Sequence, residues 1–178
     1  MFRKKFFYKF RLKDHKLKKE NILQEINQKP TRYYFTEDFT GDYRSFISKT
    51  DWEINNFDWF YFSLSDKDRN NFLDFISNLY KVDKIPIPNT WFNQYFRKSG
   101  SDHPFHNHPE TDLVCVYFVE LNDKSLRTIL IDPMTNKELT PKVNEGDILL
   151  FPGNIFHKSP RNFTDTRKTV LSFNFKFQ

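Results

Sequence analysis

Two histidines stand two residues apart in Phe105-His106-Asn107-His108-Pro109-Glu110. In an extended chain that spacing puts both imidazoles on one face, a single pleat step from each other. A third, His157, follows the apolar run Ile148-Leu149-Leu150-Phe151 and the turn Pro152-Gly153. Neutral imidazole is the commonest nitrogen ligand of iron, zinc and copper, and three converging groups with open positions describe a catalytic metal. Any one of these histidines alone would more often be a hydrogen-bonded core or surface residue. The joint arrangement points to metal, and it predicts that affinity falls as pH drops below about 6 to 6.5. A second register stays open: counted from His108, the same spacing reaches Glu110, a carboxylate that would stand in for His106. Pro109 interrupts the strand between His108 and Glu110 and favours the pair His106 and His108.

A fourth position carries charge. Arg167 opens Arg167-Lys168-Thr169-Val170-Leu171-Ser172-Phe173-Asn174-Phe175, a strongly strand-like run. An arginine entering a half-buried strand needs an anion, because its charge cannot be left unpaired there. Thr169 shares its strand face. His103 is three residues from His106, which in a regular strand puts it on the opposite face, outside the site.

The elements that must position these groups are mostly short strands. Trp91 to Arg97 reads as a strand in which Asn93, Tyr95 and Arg97 share a face, and Leu113 to Leu121, Thr128 to Ile131 and Ile148 to Phe151 follow. The N-terminal half reads as a strand over residues 5–12, then a helix from about His15 to Asn27 with Asp14 as N-cap and Leu17, Ile22, Leu23 and Ile26 as apolar positions. Tyr33 to Phe35 and Phe57 to Phe62 read as strands. Ser65 caps a second helix, Asp66 to about Tyr80, whose Phe72, Phe75, Ile76, Leu79 and Tyr80 recur at helical spacing.

These pieces together resemble the Fe(II)- and 2-oxoglutarate-dependent oxygenases, in the small form common in phages and bacteria and related to prolyl hydroxylases. The resemblance spans about residues 85 to 178. It lies in Trp91-Phe92-Asn93, Gly100 six residues before His106, His106-Asn107-His108-Pro109 before Val116-Tyr117-Phe118-Val119, Asp132-Pro133, Gly146-Asp147 to Phe151-Pro152, His157, and Arg167 to Asn174. It implies a mainly β fold with flanking helices, a double-stranded β-helix of jelly-roll or cupin-like form. The implied domain is a single one over residues 1–178, with 1–84 as a support region of strand and helix and 85–178 as the catalytic core.

The implied activity is that of a dioxygenase, a hydroxylase using Fe(II), 2-oxoglutarate and O₂, with His106, His108 and His157 as metal ligands. Arg167, ten residues after His157, would hold the far carboxylate of 2-oxoglutarate, with Thr169 adding a hydroxyl. Relatives use a tyrosine three residues before the glycine, where this chain has Arg97. Tyr95 or Asn93 on the same face is the substitute, against ordinary barrel packing. The usual His-x-Asp or His-x-Glu is also replaced by His-x-His. A cupin-type enzyme or metal-binding protein without 2-oxoglutarate fits the same histidines, and Arg167 and Thr169 distinguish the two. The substrate, peptidyl or small-molecule, is set by pocket loops.

Composition fits one domain with a real core: 178 residues, 19% aromatic, with 22 Phe and 4 Gly. The formal charge of +5 is concentrated early, in Arg3, Lys4, Lys5, Lys9, Arg11, Lys13, Lys16, Lys18 and Lys19. Such an arm suits nucleic acid or another anionic partner, which would make the chain a non-enzymatic binding module, but is more often a solvated face. One cysteine, Cys115, reads as core and fits a reducing, cytoplasmic setting, including that of a phage-infected host cell. No stretch approaches a membrane span.

Overall fold

The computed structural model describes residues 6–29, 34–37, 44–52, 54 and 57–177. Arg3, Lys4 and Lys5 of the basic arm and Tyr33 lie outside the described residues. The elements run β1 (Tyr8–Arg11), α1 (His15–Gln28), β2 (Tyr34–Glu37), β3 (Arg44–Ile47), β4 (Lys49–Thr50), α2 (Trp59–Ser63), α3 (Asp66–Tyr80), β5 (Asn89–Tyr95), β6 (His103–His106), β7 (Leu113–Leu121), a 3₁₀ turn (Lys124–Leu126), β8 (Ile129–Ile131), β9 (Glu138–Leu139), β10 (Asp147–Pro152), β11 (His157–Ser159) and β12 (Lys168–Phe175).

The strands form a six-stranded sheet ordered β1-β10-β7-β12-β5-β4, a four-stranded sheet ordered β6-β11-β8-β9, and the pair β2-β3. Every pairing among the described residues is antiparallel. The fold is therefore mainly β, with two principal antiparallel sheets and a few helices.

Alternation along the central strands divides the core in two. On the outer face of the larger sheet, Cys115, Tyr117, Val119, Leu171, Phe173 and Phe175 meet Ile22, Ile26, Trp59, Phe60, Phe72 and Ile76 of the helices. On its inner face, Val114, Val116, Phe118, Leu149, Phe151 and Val170 pack with Leu130 of the smaller sheet and with Val143 and Ile155. Large rings fill the outer layer, as the Phe-rich composition predicts: Phe60 sits edge-on to both Phe173 and Phe175, at 5.3 and 5.8 Å. Cys115 is fully buried there.

The two long helices form where the sequence places them, and their N-termini are tied together. Ser65 caps α3 by accepting from the Asp68 backbone N–H at 3.2 Å. Asp68 in turn accepts from the backbone of Lys13 and Asp14, at 3.1 and 2.8 Å. Asp14 occupies the N-cap position of α1 without capping it; its carboxylate takes the Ser65 hydroxyl at 2.7 Å instead. Leu17 points outward at 79% exposure rather than joining the core.

Phe57 to Phe62 is not a strand. Asp58 accepts from the Tyr61 backbone N–H and starts the short helix α2, which lays Trp59 and Phe60 onto the sheet. A ring-rich run satisfies either period, and tertiary burial decides between them.

Part of the basic N-terminal segment is used in internal ion pairs. Lys9 and Arg11 face Asp147 at 3.6 and 3.2 Å, and Lys19 pairs with Glu145 at 2.7 Å. These contacts fasten β1 and α1 to the turn before β10. Among the described residues no helix is long and apolar enough to cross a membrane.

Candidate active site

The inner faces of the two sheets enclose a cavity into which four imidazoles project. His106 ends β6 and His157 opens β11, and the two are register partners across the smaller sheet. Their ring centroids are 4.2 Å apart. His108 lies just beyond β6 and reaches the same place, 5.1 Å from His106 and 5.3 Å from His157. One nitrogen from each of the three lies within 4.8 Å of the others. Glu110 sits exposed in the turn that follows.

His108 is placed by a close backbone approach. Its N–H donates to the Gly153 carbonyl at 2.8 Å, and its own carbonyl accepts from the Thr111 N–H at 2.9 Å. A Cβ on Gly153 would stand 1.9 Å from the Thr111 oxygen and 2.5 Å from that of His108. Gly153→Ala should therefore displace the His108 turn and lower stability by about 3 kcal/mol. A denaturant midpoint equal to that of the parent chain would refute this packing.

Two ligand candidates have their tautomers fixed. Nδ1 of His106 lies 2.8 Å from the Pro104 carbonyl, and Nδ1 of His157 lies 3.1 Å from that of Ile155. A carbonyl can only accept, so each Nδ1 carries its proton and each Nε2 is left with a lone pair for a metal. Burial lowers the pKa of all three imidazoles. For His108 burial, and then the charge of His106, bring it to about 4.

Proton competition for His108 thus begins near pH 4, below the 6 to 6.5 that an unperturbed imidazole predicts. The unfolded chain takes up these protons near pH 6.5. It therefore binds more protons than the folded chain between about pH 6.5 and 4, and the metal-free protein should lose stability as pH falls through that window. Urea midpoints at pH 7, 6 and 5 should decline in that order; a constant midpoint would contradict the lowered imidazole pKa values.

His103, expected on the opposite face, shares the cavity. Its ring stacks on that of His106 at 3.8 Å and 15°. The cause is an irregularity in register: His157 pairs with His106 while Ser159 pairs with His103, so three steps on β6 match two on β11. The extra residue reverses the side-chain parity.

Two lysines line the cavity: Lys158, whose charge is paired with Glu138 at 2.7 Å, and Lys168, next to the arginine singled out from the sequence. Lys168, Val170 and Ser172 of β12 line the cavity together with Trp91, Asn93 and Tyr95 of β5, their register partners in reverse order. Arg167 and Thr169 lie on the other face. There Arg167 makes a two-pronged pair with Glu120 of β7, at 2.8 and 3.0 Å. Thr169 donates to the same carboxylate and accepts from Gln94 at 3.1 Å. Arg167 does have an anion, but it is an internal one.

The two residues share a face as expected, and that face is the outer one. A one-residue change of register exchanges the faces of a strand. The irregularity of β12 against β7 between Thr169 and Val170 delivers Glu120 to that side.

Lys168 is 1% exposed. Its Nζ donates to Ser159 Oγ at 2.8 Å and lies 5.2 Å from the centroid of the Tyr95 ring. Burial lowers its pKa to about 7. Tyr95 also bonds to Ser159, and burial raises its pKa. Asn93 lines the same wall, but its amide is already used: oriented to suit its neighbours, it donates to the Phe92 carbonyl and to Thr50, at 2.9 and 2.7 Å.

His106, His108, His157, Tyr95 and Asn93 thus come together, whereas Arg167 and Thr169 do not join them. Lys168 and His103 were missed. The signal for Lys168 lay in β12 itself, where Leu171, Phe173 and Phe175 mark the helix-covered face and leave Lys168, Val170 and Ser172 for the interior.

No protein-family model matches the sequence, and no curated protein matches it. Solved structures do match in fold. One is the viral collagen prolyl hydroxylase of Paramecium bursaria Chlorella virus-1 in complex with 2-oxoglutarate, with TM-score 0.60, 12% identity, and 98% of this chain and 97% of that one covered. Another is the non-heme α-ketoglutarate-dependent epimerase SnoN of nogalamycin biosynthesis, with TM-score 0.67, 9% identity, and 96% and 77% covered. A third is an oxidoreductase of the 2OG-Fe(II) oxygenase family from Burkholderia pseudomallei, with TM-score 0.57, 10% identity, and 88% and 78% covered.

Proposed function

We propose that this chain is an Fe(II)- and 2-oxoglutarate-dependent dioxygenase. The observation that carries the reading is the placement of three converging imidazoles, His157 buried and His106 and His108 half-buried, and one fully buried lysine in a single cavity. Among the described residues that line it there is no carboxylate. A buried lysine without an acidic partner is costly, and an anionic ligand would offset that cost.

The donor set fits a divalent metal. His106 and His157 each offer Nε2 behind a carbonyl-held Nδ1–H, and His108 completes the group. When bound, iron(II) would supply the activation of O₂ that converts 2-oxoglutarate to succinate and CO₂ while a substrate C–H bond is oxidised. The chain's own residues bind, orient and shield. Lys168, supported by the hydroxyls of Ser159 and Tyr95, would hold the distal carboxylate in place of Arg167. Val114, Val116 and Val170 exclude water from one wall.

Hydroxylation of a peptidyl or small-molecule substrate is the finer reading, and a closed double-stranded β-helix over residues 85–178, in a single domain of 178, is its architectural counterpart. A cupin-type site without 2-oxoglutarate has no need of a buried cation beside the histidines. That distinction now rests on Lys168 instead of Arg167 and Thr169. The test is succinate formation from 2-oxoglutarate under O₂ with added Fe(II). It should be slow without substrate, and it should vanish in His157→Ala and in Lys168→Met.

A further inference from the structure

We propose that Asn174 selects the primary substrate, an uncharged molecule that gives one N–H or O–H to Asn174 Oδ1 and lays an apolar face on Trp91. The inference rests on the oxygenase reading only in calling that molecule the substrate. The subsite itself is carried by a buried amide oxygen without a partner.

The two ends of β12 meet the cavity with different chemistry. Residues 168, 170, 172 and 174 share the inner face of the strand, and Lys168, Val170 and Ser172 line the cavity. At one end Lys168 is tied to Ser159, whose register partner is His103. Towards the other, Ser172 pairs in register with Trp91, whose ring lies 6.1 Å from that of His108. Asn174 is one pleat step beyond. Its register partners are Val114, which lines the cavity, and Asn89, which is exposed. Asn174 therefore stands where the cavity meets solvent. Six residues of strand, roughly 20 Å, separate it from Lys168, so an anion held by the lysine does not reach it.

Asn174 is 9% exposed, and its Oδ1 has no hydrogen-bond partner. Among the described residues one other buried side-chain atom shares that condition, Ser63 Oγ of α2, on the helix-covered side of the sheet. A buried carbonyl oxygen without a donor is costly, and a ligand that brings a donor removes the cost. Asn93 on the same wall already uses its amide, on Phe92 and Thr50.

The surroundings of Asn174 select for a neutral partner. Trp91, Val114 and Ser172 carry no charge, and the nearby Asp112 carboxylate is turned to the Phe177 N–H at 2.7 Å and to Lys176 at 3.8 Å. A charged group arriving here would lose water and gain no counter-charge. The indole N–H of Trp91 is directed to the Asn93 oxygen at 3.3 Å, so its ring offers a face and not a donor. Trp52 backs that ring at 6.4 Å. An apolar face with one convergent polar atom is the usual make-up of a small-molecule subsite.

The test is ligand-observed NMR on the full chain with two matched pairs of probes. These are 2-pyrrolidone against N-methyl-2-pyrrolidone, and cyclopentanol against cyclopentyl methyl ether. In each pair a methyl group removes the donor. The donor-bearing member should bind about 3- to 10-fold more tightly than its methylated twin, the weight of one neutral hydrogen bond. Preference in the lactam pair alone identifies an N–H substrate, and preference in the alcohol pair alone an O–H substrate; either supports the subsite. The bound donor should also shift the side-chain amide resonances of Asn174 in isotope-labelled chain. Asn174→Leu should bind both members of each pair equally. Asn174→Asp, of nearly the same shape, identifies those resonances if the leucine variant does not fold.

No binding by any probe, or less than twofold preference in both pairs, would overturn the assignment and leave the oxygen to solvent. A preference that survives in Asn174→Leu, or that leaves the Asn174 amide resonances unmoved, would overturn it as well. Succinate formation judges the oxygenase reading separately. With succinate formed and no donor preference, the subsite falls alone. With donor preference and no succinate, the oxygenase reading falls and the subsite stands as a ligand site.

Discussion

Lys168→Met should weaken 2-oxoglutarate binding severely and at the same time make the metal-free chain more stable. Loss of a buried, hydrogen-bonded charge from a ligand site costs on the order of 3 kcal/mol, or about 100-fold in affinity. The gain in stability follows from the same burial. The folded chain holds the Lys168 pKa at about 7, whereas the unfolded chain holds it near 10.4. Between those values the unfolded state binds more protons, so stability rises with pH through the window. At or below neutrality the folded chain carries the full cost of the buried ammonium.

A methionine of similar length removes that cost and should add about 1–2 kcal/mol, with the larger gain at pH 7 and the smaller at pH 9. Arg167→Ala supplies the contrast. It leaves the Glu120 carboxylate, which is 11% exposed, without its charge partner and with only the Thr169 hydroxyl, and should lower stability by about 1–3 kcal/mol. Binding of 2-oxoglutarate should be changed by no more than about threefold, within 0.7 kcal/mol. Thermal melts and calorimetry on the two variants suffice. Normal 2-oxoglutarate binding by Lys168→Met, or its loss in Arg167→Ala, would reverse the assignment.

The second large effect concerns the metal. Alanine at His106, His108 or His157 should each lower metal affinity by more than the ~10–100-fold typical of groups that only support a ligand. Glu110→Ala should leave it unchanged, because Glu110 is exposed in the turn between His108 and β7. His103→Ala should fall between these, within about tenfold, since His103 touches His106 by stacking at 3.8 Å and acts by holding that ring. Equilibrium dialysis with Co(II) separates the three outcomes. Tight binding by His106→Ala together with weak binding by Glu110→Ala would restore the alternative register.

Much of this was legible in the chain, and what was not has local causes. The mixed apolar pattern of Leu113 to Leu121 and the alternation in residues 168 to 175 announce strands, and Ser65-Asp66 announces α3. The spacing of His106 and His108, followed by His157 after a turn, brings out the three imidazoles that converge. Strand parity was harder to read. A single irregularity between β6 and β11 carries His103 into the cavity. On β12, the position of the arginine concealed that the neighbouring lysine faces inward. Irregular register is a property of two strands together, and neither strand alone displays it. The helix at Trp59 was hidden for another reason: Phe57 to Phe62 is apolar under either period, and only its fit against β5 and β12 decides.

The most direct measurement is a crystal structure of the chain with Co(II) and 2-oxoglutarate, grown without O₂. Nε2 of His106, His108 and His157 should each lie about 2.0–2.2 Å from the metal, with the distal carboxylate of 2-oxoglutarate within hydrogen-bond distance of Lys168 Nζ. A Glu110 oxygen on the metal with His106 turned away, or a co-substrate carboxylate held by Arg167, would contradict it.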